Sequence, residues 1–201
     1  MTFIETILAM SITAMVGGAI TTMMAAVTDE VESHHFTRSQ LIQNGLAQSR
    51  LSSYIARSHC VLDLTEDSVT LWLEDSRDSG TVHASEIRWI KLDHDTGVLE
   101  SHFVCFPDTW SESSRLLSDT EFSDYSHVDW ASVLRSFQNR ELTCNLPIAE
   151  ELADLTFSGN APLPHDITLI ESTLHHSRTS DGMGSRTAEA IRVHRRPGEE
   201  G

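Results

Sequence analysis

Basic residues are scarce in this chain: 14 Lys and Arg stand against 30 Asp and Glu, for a formal net charge of -16. A surface of that sign repels phosphate backbones, which excludes nucleic acid as a partner unless basic residues gather on one face. The one basic cluster, Arg192, Arg195 and Arg196, shares its stretch with Glu199 and Glu200 and reads as a solvated tail. Cysteine is equally sparse. Cys60, Cys105 and Cys144 lie far apart without a CxxC spacing, which excludes a zinc ribbon and a thioredoxin-like redox site. They make either one disulfide and a leftover thiol, in an oxidising compartment, or three small buried side chains.

Catalytic signatures are also lacking. No HExxH, phosphate-binding glycine loop, GxGxxG or nucleophile elbow occurs. Eleven histidines are present, but the pairs His34-His35 and His175-His176 are adjacent, and neighbours in a strand point to opposite faces. Asp181 to Ser185 is glycine-rich and reads as a turn between strands. Cys60 beside His59 is too close in sequence to read as a nucleophile and its base. The chain reads as a non-enzyme that needs no cofactor.

What is present starts at the N-terminus. From Phe3 to Val27 runs FIETILAMSITAMVGGAITTMMAAV, with one charge, Glu5, and no proline. At about 1.5 Å per residue this run is long enough for the roughly 30 Å hydrocarbon layer, and it lacks the basic start and short apolar stretch of a signal peptide. It continues without a turn signal into a polar helical segment, Thr28 to Ser58, in which Val31, Leu41, Ile42, Leu46, Leu51 and Ile55 recur at helical intervals. A carboxylate in such a run either needs a partner or sits near the helix start, where the helix dipole tolerates it. Position leaves both readings of Glu5 open.

The segment Met1-Thr2-Phe3-Ile4-Glu5-Thr6-Ile7-Leu8-Ala9-Met10 resembles the mature N-terminus of type IV pilins and type II secretion pseudopilins. The resemblance implies cleavage by a prepilin peptidase, methylation of the Met1 amine, and pairing of Glu5 with the terminal amine of a neighbouring subunit during assembly. Small residues Ala14, Gly17, Gly18 and Ala19 then permit close approach of neighbouring helices.

After the helix come short alternating runs, read as antiparallel strands over Ser68 to Leu73, Glu86 to Leu92, Leu99 to Cys105, Leu152 to Ser158, Ile167 to His175 and Ala188 to His194. The expected fold class is α+β, with a long N-terminal helix, transmembrane in its first half, packed on an antiparallel sheet. The expected divisions are 1-28 as transmembrane or filament-core helix, 29-58 as its amphipathic continuation and 59-201 as the β-rich domain. Pro107 to Asn139 reads as a long surface loop, with Val128 to Phe137 a possible short helix.

Asp75 to Glu86 has the outline of a twelve-residue calcium loop, with Asp75 first, Gly80 sixth and Glu86 twelfth. Arg77 at the third position opposes a divalent ion, and Ser79 at the fifth is a weak donor. The favoured reading is a hairpin loop that keeps the outline, with Asp75, Ser79 and Glu86 as the residual candidate ligands for calcium. Asp93-His94-Asp95-Thr96-Gly97 supplies the next turn. This middle region and LADLTFS at 152 to 158 resemble the globular part of J-type minor pseudopilins.

The resulting expectation is a structural minor pilin or pseudopilin at or near a filament tip. Its expected place is the bacterial inner membrane, with the globular domain periplasmic. Other pilin subunits, membrane lipid and a prepilin peptidase are the expected partners. The competing expectation is a monomeric, membrane-anchored extracytoplasmic binding domain.

Overall fold

The computed structural model describes residues 3–77, 79–176 and 184–198. Helix α1 spans Phe3–Arg57. It ends where Ser58 turns its amide onto Tyr54 O and its hydroxyl onto Ile55 O, after which the chain enters a strand. The chain divides into two compact units, Met1–Gln43 and Asn44–Gly201. The last turns of α1 therefore belong to the second unit.

In that unit, strands β1 (Cys60–Leu64), β2 (Ser68–Trp72), β4 (Ile87–Asp93), β5 (Val98–Val104) and β7 (Thr143–Ala149) form one antiparallel sheet in the order β1-β2-β4-β5-β7. A second antiparallel sheet has the order β10-β9-β8, from Gly184–Ala190, Leu169–His176 and Leu152–Gly159. A two-residue ladder pairs β3 (Val82–His83) with β6 (Glu121–Phe122). Two further helices are short, α2 (Glu112–Ser118) and α3 (Trp130–Asn139), each capped by a side chain, Ser111 or Asp129.

Strand alternation divides the buried residues between two cores. Val69 and Leu71 of β2, with Ile90 and Leu92 of β4, meet Ala47, Leu51 and Ile55 of α1 and Leu155, Phe157, Ile170 and Leu174 of the second sheet. Trp72, Ile87 and Trp89 belong to the other core, with Trp130, Leu134 and Phe137 of α3. Both indoles find acceptors, Trp72 Nε1 on Glu86 Oε2 and Trp89 Nε1 on Trp130 O.

Several expectations are corrected here. Among the described residues no helix is long and apolar enough to cross a membrane. The α+β architecture on a transmembrane first half therefore gives way to a fold of mainly antiparallel sheets, with a short helical stretch, Asn44–Arg57, in the sheet unit. Within that stretch Ala47, Leu51 and Ile55 face the core, whereas Leu46, placed on the same stripe in the sequence reading, is exposed, as is Ile42 just before the stretch.

The short helix expected over Val128 to Phe137 is present as α3, but the rest of the stretch from Pro107 is not all loop: it carries α2 and β6, and α3 buries Trp130, Leu134 and Phe137 against the sheet. The basic tail is not free either. Ile191, Arg192, Arg195 and Gly198 donate their amides to Thr168 O, Ala56 O, His59 O and Gly80 O, which lays the segment across the second unit as a strap. Arg195 and Arg196 pair with Asp75 and Asp166.

Candidate functional site

Two regions carry the residues singled out in the sequence. The first is α1. Its backbone is helical through Glu5, Ala14, Gly17, Gly18 and Ala19. Met1 and the side chains of Glu5, Ala14 and Ala19 lie outside the described residues. Gly17 and Gly18 are exposed, and a Cβ built on either would meet nothing within 4 Å, so this part of the helix surface is open. Large apolar side chains stand uncovered beside it: Ile4 is 76% exposed, Met10 71%, Met15 75% and Met23 71%.

Three hydroxyls of the segment, among the described residues, are turned onto the helix itself. Ser11 Oγ donates to Ile7 O at 2.9 Å, Thr21 Oγ1 to Gly17 O at 2.8 Å and Thr22 Oγ1 to Gly18 O at 3.2 Å. These back-bonds spend the donors that would otherwise seek water, and leave a helix surface suited to close apolar contact.

The second region is the loop from Asp75 to Glu86, which is built around carboxylates that protein donors fill. Asp75 Oδ1 and Oδ2 accept the Ser79 and Gly80 amides at 3.1 and 2.9 Å, and the Arg195 guanidinium lies 3.5 Å from Oδ2. Gly80 adopts φ +71 there, a left-handed conformation that suits glycine. Ser79 Oγ is engaged with Thr81.

Glu86, 2% exposed, takes four donors: Trp72 Nε1 and His83 N on Oε2, and Ser76 Oγ and Arg77 N on Oε1. Arg77, at the third position of the loop, turns to Asp119 at 2.6 Å. Asp119 also accepts the Ser85 amide and hydroxyl. The three candidate calcium ligands are thus brought into one loop, each with protein partners. Among the described residues no group of three or more His, Cys, Asp and Glu side chains is placed to hold a metal ion.

The remaining titratable groups show ordinary structural uses. Burial lowers the pKa of His102 and His176, which favours neutral rings within the sheets. Cys105 and Cys144 form a disulfide and Cys60 is a buried thiol outside it, the first of the two cysteine readings. Sequence reasoning missed Asp119 and Arg195 as partners of the loop. Each lies more than 30 residues from its partner, and no local pattern could signal such a contact.

Comparison of the sequence with family models and with curated proteins gives no match. The functional reading therefore stands on the residues and their geometry.

Proposed function

We propose that this chain is a structural subunit of a type IV pilin-like filament, of the minor pseudopilin kind, and that α1 is the element through which it assembles. The observation that carries the reading is the uncovered apolar surface of α1, including Ile4, Met10, Met15 and Met23. Covering one such side chain is worth about 1.5–3 kcal/mol, and no described element of this chain covers them. Like helices of neighbouring subunits supply a matching apolar surface, and the exposed Gly17 and Gly18 let two backbones approach. The hydroxyls bonded back onto α1 remove the polar obstacle to that contact.

Glu5 then has a role that its neighbours do not. In the assembled state it pairs with the terminal amine of an adjacent subunit, the amine that processing by a prepilin peptidase exposes at Met1. The sheet unit works outside the cytoplasm, where the Cys105–Cys144 disulfide persists.

Glu5→Ala tests this reading. The variant should accumulate to the normal level, while its share of the sheared, sedimented filament fraction falls by a factor on the order of a hundred to a thousand or more, because breaking a buried ion pair from one side costs about 3–5 kcal/mol. Quantitative immunoblotting of the two fractions measures it. Undiminished incorporation of Glu5→Ala would remove the charge pairing.

A further inference from the structure

A cavity of 270 Å³ opens where the outer face of the five-stranded sheet runs beside α3. Thr70 and Trp89, register partners on β2 and β4, line it from the sheet, and Leu134 lines it from the helix. Asp63 of β1 enters the same space because a bulge between Val61 and Asp63 shifts the register and sets Asp63 opposite Thr70. The volume is just below the roughly 300–1,000 Å³ of small-molecule pockets, a size for one side chain or a small organic ion.

Asp63 is the unsettled group in this cavity. It is half-buried, and its one hydrogen bond among the described residues comes from the amide of its own neighbour, Leu64 N, at 3.0 Å. Burial pushes its pKa up, and the Asp129 carboxylate at the start of α3 pushes it the same way, with the Leu64 amide opposing. Lys91 and Arg135 also line the cavity, but both are exposed, and neither makes an ion pair with Asp63. Arg135 donates to Ser132 Oγ at 3.2 Å. Asp67, the other carboxylate of the lining, is committed to Thr65 Oγ1 at 2.8 Å and His94 Nε2 at 3.3 Å.

A carboxylate withdrawn from water without a cation costs stability wherever it is ionised. The hydrogen bond that Asp63 accepts from Leu64 N is one an asparagine side-chain oxygen accepts equally. We infer that the cavity is a binding site for an organic monocation carried on an alkyl stem, with Asp63 as its counter-ion and Trp89 and Leu134 as the walls for the stem. A lysyl side chain of a partner protein and a free alkylamine share this chemistry. The inference does not depend on the filament reading.

The test follows the Trp89 indole N–H resonance of the full-length chain by NMR. The probes are n-butylammonium, the neutral analogue n-butanol, and the blocked peptide acetyl-Ala-Lys-Ala-amide. The expected result is a saturable shift with both cations, with a Kd on the order of millimolar for so few atoms, and no saturation with n-butanol. Asp63→Asn should weaken both cations about tenfold, the scale of one hydrogen-bonded charge pair. Lys91→Ala should leave binding unchanged or tighter. A peptide that binds more tightly than the amine assigns the site to a protein side chain, and the reverse order assigns it to free amines. Equal shifts with n-butanol overturn the inference without recourse to any variant, and so does unweakened cation binding in a folded Asp63→Asn chain.

Without ligand, Asp63→Asn should also raise Tm at neutral pH. The sign follows from the raised pKa: the folded state holds the Asp63 proton more tightly than the unfolded chain, so the ionised side chain costs stability above that pKa. The gain should vanish in acid, where Asp63 is protonated in both states.

Discussion

Glu86→Ala should lower the unfolding free energy by about 3 kcal/mol or more, the largest effect expected of any single polar substitution in the sheet unit. The side chain is 2% exposed and accepts from four donors on three stretches of chain. Removing it orphans the Trp72 indole and the His83 amide in the second core, where each unpaired donor costs about 1–3 kcal/mol. It also releases Ser76 and Arg77, which hold the loop closed. Glu86→Gln preserves the volume and one acceptor oxygen, and should cost less than half as much. Urea denaturation followed by tryptophan fluorescence measures both. A Glu86→Ala midpoint close to the parent would show that the carboxylate does not organise the loop.

Removing the disulfide should be of similar size. Cys105 and Cys144 are 39 residues apart, and closing a loop of that length restricts the unfolded chain by about 4 kcal/mol in the chain-entropy account. The bond joins the end of β5 to β7, an edge strand with one neighbour in its sheet. The double variant Cys105→Ala/Cys144→Ala should therefore shift the denaturation midpoint downward and raise the m-value, because the unfolded ensemble expands. The buried Cys60 serves as an internal control. It should resist thiol reagents in the folded protein with or without the disulfide. An unchanged midpoint, or three reactive thiols in the native chain, would contradict the pairing.

The sheet elements were legible where side-chain alternation and turn chemistry agreed. Asp93 to Gly97 reads as a turn, and the structure supplies the reasons: Asp93 accepts from the Asp95 amide and the Thr96 hydroxyl, and Gly97 adopts φ +67 with a Cβ position 2.7 Å from Leu152 O. The strands on either side fall within a residue or two of their expected bounds. β9 alternates buried and half-buried along its length, as the pattern from Ile167 to His175 implies. β7 escaped notice because Cys144 to Pro147 are exposed polar, apolar and proline residues of an edge, without alternation.

Other features were illegible because their causes are distant. The apolar stripe of the second half of α1 could be counted, but which of its residues face the sheets depends on where the sheets stand. Ala47 took the place expected of Leu46. The run from Pro107 lacked a period because its burial rests on a few aromatic and aliphatic anchors, Trp130, Leu134 and Phe137, over the second core. The basic tail looked solvated in sequence, since the carboxylates that bind Arg195 and Arg196 come from Asp75 and Asp166. The Asp63 cavity depends on a register shift in β1, which sequence alternation alone cannot locate.

The most direct test of assembly through α1 is cross-linking from Gly17. A Cβ there meets nothing within 4 Å, so Gly17→Cys places a thiol on the open helix surface, while Cys60 is buried and Cys105 and Cys144 are joined. The full-length variant is treated in its native cells with a short linker that carries a maleimide at one end and a photoactivated diazirine at the other. Irradiation inserts the diazirine into whatever chain lies beside the helix, and the product is then purified and its mass determined. The filament account predicts cross-linked species whose mass is that of this chain plus a second chain with a similar N-terminal helix. A chain that remains monomeric throughout, or that joins only to proteins without such a helix, would contradict it.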